Sequence, residues 1–341
     1  MQTLIEPLGL LTGRDAQDAL ASRLALPLQG GDTAFSLVRL IGAGADRIVA
    51  VTAVPPEWQA CLRLVSAPPP LAGLPAGPLV MGILNVTPDS FSDGGRHLAV
   101  GDAIRAGMAM LEAGADLIDV GGESTRPGAA SVAPAAEQAR ILPVVEALAR
   151  HGVISVDTRN AATMRAALAA GATVVNDVSA LAHDPAAAAT LADQRCTVAL
   201  MHMRGTPATM TGLASYGDVA VEVVRELRHH RDAAIAAGIA RDRILVDPGL
   251  GFAKDAAQNL ALLRRLPLLA CLGQRVLLGA SRKRFIAQLE GQVAGARDAA
   301  SRDPGSIAAS LSGLALNGCI LRVHDVAGMV QALRLWQAIR H

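Results

Sequence analysis

The sequence predicts a (β/α)8 barrel preceded by a short N-terminal α+β extension, and three observations carry that prediction. From Leu79 onward, eight apolar runs of strand length alternate with alanine-rich stretches of helical length. The alternation occupies about 260 residues, the length eight β/α units need. Every apolar run ends in a polar or charged residue, which is where such a barrel places its chemistry. A doubly wound open sheet would also alternate, but with fewer strands and a glycine-rich first turn.

The totals fit a core-rich globular protein: 341 residues, 51% hydrophobic, with 33 glycines. A formal net charge of +1 offers neither a nucleic-acid footprint nor a polybasic membrane patch. No apolar run approaches the ~18 residues a membrane span needs. Cys61, Cys196, Cys271 and Cys319 are far apart without metal-ligand spacing, and read as free thiols in a reducing compartment. The first residues include Glu6 and Pro7 and form no basic leader, so the expected location is the cytoplasm.

Residues 1–78 form the extension and 79–341 the barrel. Within the extension, Asp15–Leu24 reads as a short helix and Ile48–Val54 as a strand. The stretch from Pro68 to Pro78 is a stiff Pro/Gly connector of the kind that marks a boundary. The glycines of Ile41-Gly42-Ala43-Gly44 lack the third glycine of a dinucleotide fingerprint, and no chemistry is assigned here.

Strand-like runs begin near Leu79, Leu117, Val153, Thr173, Thr197, Ile244, Val276 and Ile320. Helical stretches between them include Asp102–Ala113, Ala135–Ala149, Ala161–Ala170 and Tyr216–Ala237, and Val326–Arg340 closes the chain. The first run, Leu79 to Val86, is broken by one amide, Asn85, and passes into a Pro-, Asp-, Ser- and Gly-rich loop. That loop holds Phe91, although the whole chain has only four Phe, two Trp and one Tyr. The second run ends in Asp119-Val120-Gly121-Gly122-Glu123-Ser124-Thr125-Arg126-Pro127-Gly128. The remaining ends carry Asp157, Asn176-Asp177, His202, Asp247, Ser281-Arg282-Lys283-Arg284 and Arg322-Val323-His324. One such residue would be a helix cap; eight in succession mark a site.

These groups are sorted around the ring. Asp157, Asn176 and Asp247 offer acceptors, whereas Lys283, Arg322 and His324 offer donors or cations. Arg322 and His324 are two residues apart and so share one side of a strand. Cations after the seventh and eighth strands suit phosphate. Carboxylates suit the parallel N–H groups of an amidine-like edge. The pattern therefore calls for a bipolar ligand, a nitrogen heterocycle at one end and phosphate or diphosphate at the other. Gly249-Leu250-Gly251-Phe252-Ala253-Lys254 matches neither the dinucleotide fingerprint nor the P-loop, and no His/Cys cluster has zinc spacing. His202 reads equally as a ligand or as a structural histidine of the barrel rim.

Five segments, taken together, resemble dihydropteroate synthases: Met81 to Gly95, Gly121 to Gly128, Asp247-Pro248-Gly249, Ser281-Arg282-Lys283 and Arg322 to Val326. The resemblance implies condensation of 6-hydroxymethyl-7,8-dihydropterin diphosphate with 4-aminobenzoate, a step of folate biosynthesis. It implies a pterin pocket at Asp157, Asn176, Asp247 and Lys283. It also implies a diphosphate site at Asn85, Thr125, Arg322 and His324, with Mg²⁺ bound near Asn85. Phe91, Thr125, Arg126 and Pro127 would close over the benzoate. Arg284 stands where some relatives have serine, so its contact to the benzoate carboxylate would differ in kind. A homodimer is implied by resemblance alone. Two other readings share the barrel: a pterin-binding methyltransferase, and a barrel that binds ligand without catalysis.

Overall fold

The computed structural model describes residues 3–42, 45–86, 95–124, 132–289 and 298–340. The extension is an antiparallel sheet of four strands, β1 (Leu4–Leu11), β2 (Leu26–Pro27), β3 (Ala34–Gly42) and β4 (Ala45–Ala50), with β3 paired to the other three. Two helices, α1 (Gly13–Ala21) and α2 (Gln59–Ser66), accompany it. The helix expected at Asp15–Leu24 thus starts and stops earlier. Arg23, at φ 58°, takes the left-handed conformation that ends a helix. The strand expected at Ile48–Val54 runs from Ala45 to Ala50 instead, because Val51–Ala53 form a 3-10 turn leading into Pro55 and Pro56.

Strand β1 was hidden in the sequence by Pro7 and Gly9. Proline is tolerated there because β1 lies at the edge of its sheet. Ile5, two residues away, directs both backbone groups away from β3, onto the Cys271 thiol (N–H to Sγ 3.3 Å, Sγ to O 2.9 Å). Pro7 points the same way and loses no ladder bond.

Beyond the connector, β5 (Leu79–Asn85), β6 (Leu117–Gly121), β7 (Val153–Asp157), β8 (Val174–Asp177), β9 (Thr197–Met201), β10 (Ile244–Asp247), β11 (Arg275–Leu278) and β12 (Ile320–Val323) close a parallel barrel. Helices α3 (Gly95–Glu112), α4 (Pro134–Leu148), α5 (Ala161–Ala169), α6 (Ala187–Ala192), α7 (Val219–Ala236), α8 (Ala256–Arg264), α9 (Arg284–Leu289), α10 (Asp303–Leu311) and α11 (Val326–Arg340) complete it. The (β/α)8 fold expected from the sequence is the one observed.

Strand period and register sort the barrel interior into layers of four, each drawn from alternate strands. Outward residues such as Val80, Ile118, Val156, Val198, Val246 and Leu321 join the main apolar cluster. Inward, Leu117, Val174, Leu245 and Ile320 form a wholly apolar layer, and Met81, Ser155, Ala199 and Leu277 lie above it. One step higher, toward the C-terminal ends, the alternate strands β6, β8, β10 and β12 contribute Asp119, Asn176, Asp247 and Arg322. That layer is entirely polar, and it is the floor of the site.

The opposite mouth is stoppered by the connector. Ala72 and Leu74 belong to the same buried cluster as Leu79, Leu117 and Ile320. Arg275, fully buried at the start of β11, donates to the carbonyls of Pro75 (2.8 Å), Gly77 (2.6 Å) and Gly318. Thr197 holds the Ala72 carbonyl from the start of β9. The sheet of the extension is tied on by Glu6, a buried carboxylate gripped by Arg265 at 2.6 and 2.8 Å.

Candidate active site

Above the polar layer opens a cavity of about 1320 Å³, lined among others by Asn85, Asp157, Lys283, Arg284, Arg322 and His324. Strands β5, β7 and β12 and the segments after β11 and β12 therefore bring predicted residues to one place. Asn176 and Asp247 lie beneath it, both buried. A side chain added at Gly279 would come within 3.8 Å of the Asp247 carboxylate and 4.0 Å of Arg322, so this glycine keeps the approach to both open.

Three of the four floor residues, Asp119, Asn176 and Arg322, form one hydrogen-bonded unit with Asp157. Arg322 donates through Nε to Asp119 Oδ2 (2.6 Å) and through Nη2 to Asp157 Oδ2 (2.8 Å). Asn176 Nδ2 donates to the same Asp119 oxygen at 3.0 Å. Asp247 accepts from the Gly249 N–H at 2.7 Å. Gly249 has to be glycine: its φ is +65°, and a Cβ would fall 2.0 Å from the His202 carbonyl oxygen.

Burial sets the protonation of these groups. It pushes the Asp157 carboxyl up to about 7, against the pull of Arg322 and with the nearby Asp119 charge adding to it. Asp247 is raised by burial too, with the Gly249 N–H and Lys283 opposing. Burial and then the Arg322 charge bring Lys283 down to about 8. Arg322 is opposed by burial, yet Asp119 and Asp157 hold it above its ordinary range.

The rim carries the donors. Lys283 Nζ stands 4.1 Å from the centre of the Phe252 ring, a cation–π contact within the cavity. His324 is pushed down to about 3 by burial and then by Arg282 and Arg322, so at neutral pH it is an uncharged imidazole. Of the two roles its sequence position allows, donor or cation, desolvation leaves His324 only that of a donor. Its backbone N–H donates to Ser281 Oγ (3.1 Å), which frees the hydroxyl proton for Nδ1 (2.9 Å). The tautomer so favoured carries its proton on Nε2. Arg282, at φ 57°, is turned away into a two-pronged pair with Asp303 (2.8 and 2.8 Å). Arg284 is exposed at the start of α9 and reaches the cavity from its outer side.

Several supports escaped the sequence. Asp119, present in the sequence as part of the second run's polar end, gave no sign of its role, which lies in its bonds to Asn176 and Arg322. Glu123, on the cavity wall, and Arg159, two residues past Asp157, are both buried and pair at 2.9 and 3.1 Å. His202 is structural. Burial and then Lys254 push it down to about 4. Its Nδ1 meets Lys254 Nζ at 2.9 Å, and its Nε2 meets Glu226 at 2.9 Å. Lys254 also binds the carbonyls of Gly249 (2.9 Å) and Phe252 (3.0 Å), fixing the loop that presents Phe252. Contacts this distant in sequence leave no local pattern. Phe91, Thr125, Arg126 and Pro127 lie outside the described residues.

Residues 81–324 match the model of a family described as pterin binding enzymes. The dihydropteroate synthase of Mycobacterium leprae (strain TN) is 48% identical over 269 residues, covering 77% of this chain and 93% of that protein. The solved structure of Xanthomonas albilineans dihydropteroate synthase with 4-aminobenzoic acid is 48% identical, with a TM-score of 0.71 over 77% of this chain and 93% of its own. The same enzyme in complex with 7,8-dihydropteroate is 46% identical, with a TM-score of 0.69 over 77% and 94%. Barrel, polar floor and relatives agree, and the chain belongs to the dihydropteroate synthase family of pterin-binding enzymes.

Proposed function

We infer that this protein condenses 6-hydroxymethyl-7,8-dihydropterin diphosphate with 4-aminobenzoate to give 7,8-dihydropteroate and diphosphate. The observation that carries the reading is the polar floor. Asp157 on the cavity wall, with the buried Asn176 and Asp247 beneath, supplies acceptors for a planar N–H edge, and Lys283, Arg322 and His324 line the same cavity as cations or donors for a diphosphate.

The mechanism we propose is dissociative. The C–O bond to diphosphate breaks first, leaving its electron pair on the departing oxygen and positive charge on the pterin methylene. Asp157 and Asp247 hold the ring that delocalises this charge. Arg322 and the Nε2–H of His324 oppose the negative charge growing on the diphosphate. The nitrogen of 4-aminobenzoate then forms the C–N bond and loses a proton. An aniline-type amine is neutral at pH 7, so no strong base is needed.

Mg²⁺ fits this site as a partner of the substrate. Asn85 ends β5 with a hard, neutral oxygen donor lining the cavity, and among the described residues no group of three His, Cys, Asp or Glu side chains surrounds it. Mg²⁺ is commonly held this way, by few protein oxygens together with phosphate oxygens and water. Bound there through Asn85, it would supply Lewis-acid neutralisation of the leaving diphosphate. A homodimer is the assembly we propose, with sedimentation velocity as its check.

One coupled assay tests the function. Steady-state, multiple-turnover release of diphosphate should depend on 4-aminobenzoate and Mg²⁺ and should be blocked by sulfonamides. Methyl transfer from methyltetrahydrofolate would replace this reading by the methyltransferase one. Pterin binding without turnover would replace it by a non-catalytic barrel. For the dissociative step, a single turnover without 4-aminobenzoate should still release diphosphate; strict dependence on the amine under all conditions argues for direct displacement.

A further inference from the structure

We propose that Asp119 is a positioning residue that fixes the hydrogen-bond polarity of the heterocycle pocket. It turns the Asn176 amide so that the carbonyl oxygen faces the ligand, and it holds Arg322 against Asp157. The inference rests on the pterin reading above and names the residue that makes its pocket selective.

Asp119 is completely buried, whereas Asn176 beside it keeps 3% exposure beneath the cavity and Arg322 lines it. Its partners come from two strands away on either side, Asn176 on β8 and Arg322 on β12, so all three lie in one barrel layer. Asp119 Oδ2 accepts two hydrogen bonds, from Asn176 Nδ2 and from Arg322 Nε. Because Asp119 Oδ2 receives the Nδ2–H of Asn176, the amide cannot flip without setting two oxygens against each other. Asn176 is thereby reduced from a donor-and-acceptor group to an acceptor toward the ligand. The same oxygen takes the Nε–H of Arg322, which orients the guanidinium plane so that Nη2 reaches Asp157.

A second observation separates this role from ordinary stabilisation. Asp119 Oδ1 has no partner among the described residues, nor does Ser155 Oγ, which is level with it on the adjacent strand. Burying a carboxylate with one oxygen unpaired is costly. A layer filled like the one two steps below it, with Leu117, Val174, Leu245 and Ile320, would avoid that cost. What Asp119 does for the fold is therefore poorly matched to its burial, and what it does for Asn176 and Arg322 is specific.

The test measures binding of 6-hydroxymethylpterin by calorimetry, together with steady-state kinetics, on the full chain. Asp119→Asn can meet Asn176 in either amide orientation. It should weaken pterin binding roughly tenfold or more, as expected when a buried polar contact is mismatched. KM for 4-aminobenzoate should stay unchanged. In an Asn176→Ala background the same substitution should cost clearly less, because its main route of action is gone. Additive penalties, or a shift in both KM values alike, overturn the proposal.

Asn176→Asp gives a second readout that keeps Asp119 in place. Two facing carboxyls must share a proton, so the affinity of this variant relative to wild type should fall as pH rises, over and above the trend that Asp157 gives to both. A variant-to-wild-type ratio independent of pH overturns the proposal even if Asp119→Asn does not fold. Wild-type protein that fails to bind the pterin overturns the functional reading itself. Wild-type binding matched by Asp119→Asn overturns this inference alone.

Discussion

At Asp157 two forces of opposite sign meet, burial favouring the neutral acid and Arg322 favouring the carboxylate, and burial prevails with a pKa near 7. A ligand edge made of N–H groups needs the carboxylate. Affinity for the pterin should therefore rise with pH through about 7, because below that value binding must first expel a proton. Calorimetry at pH 7 in buffers of different ionisation enthalpy should record release of roughly half a proton. Asp157→Asn should abolish this dependence while lowering affinity. Lys283→Ala and Asp247→Ala should each weaken pterin binding about tenfold or more, since each removes one charged partner of the ligand; unchanged affinity in both would sink the pocket assignment. Much of this chemistry was legible in the sequence because a polar residue ending an apolar run is conspicuous. Asp119 was visible at the end of the second run, but its role was not, because that role rests on contacts with Asn176 and Arg322 from strands distant in sequence. The neutrality of His324 was illegible for another reason: it depends on desolvation, and no spacing reports that.

At the level of elements, the barrel strands were readable because each is covered on both faces and so is apolar throughout. The sheet of the extension was not. Its strands carry Pro7, Gly9 and half-exposed positions, and what holds β1 in place is tertiary: the Cys271 thiol on Ile5 and the Arg265 fork on Glu6. Glu6→Ala should lower stability by about 2 kcal/mol, the scale of a lost charge-assisted hydrogen bond with a partly buried cation left behind. The denaturant midpoint should fall with the slope unchanged. Activity of the folded fraction should stay the same, because Glu6 does not line the cavity and Arg265 keeps its second carboxylate partner, Asp218. A fall in activity per folded molecule would contradict that separation.

For the whole molecule, the connector turns out to have a role that its composition concealed. A Pro/Gly-rich stretch reads as a spacer between units, yet Ala72 and Leu74 fill the barrel mouth and the chain on either side shares one apolar cluster. A chain beginning at Leu79 should melt on the order of 10 °C lower than the full chain, having lost several kcal/mol of apolar cover. One beginning at Pro68 should recover part of that difference, since it restores the plug alone. Equal melting of all three chains would show that the base is indifferent to the plug. The same plug governs traffic. With the lower end sealed, the cavity is a cul-de-sac, and everything that enters must leave by the way it came. On the proposed assignment the pterin sits at the blind end, so a benzoate arriving early bars its entry and a product leaving late detains whatever lies beneath it. The queue is set by the architecture: pterin first in, pteroate last out.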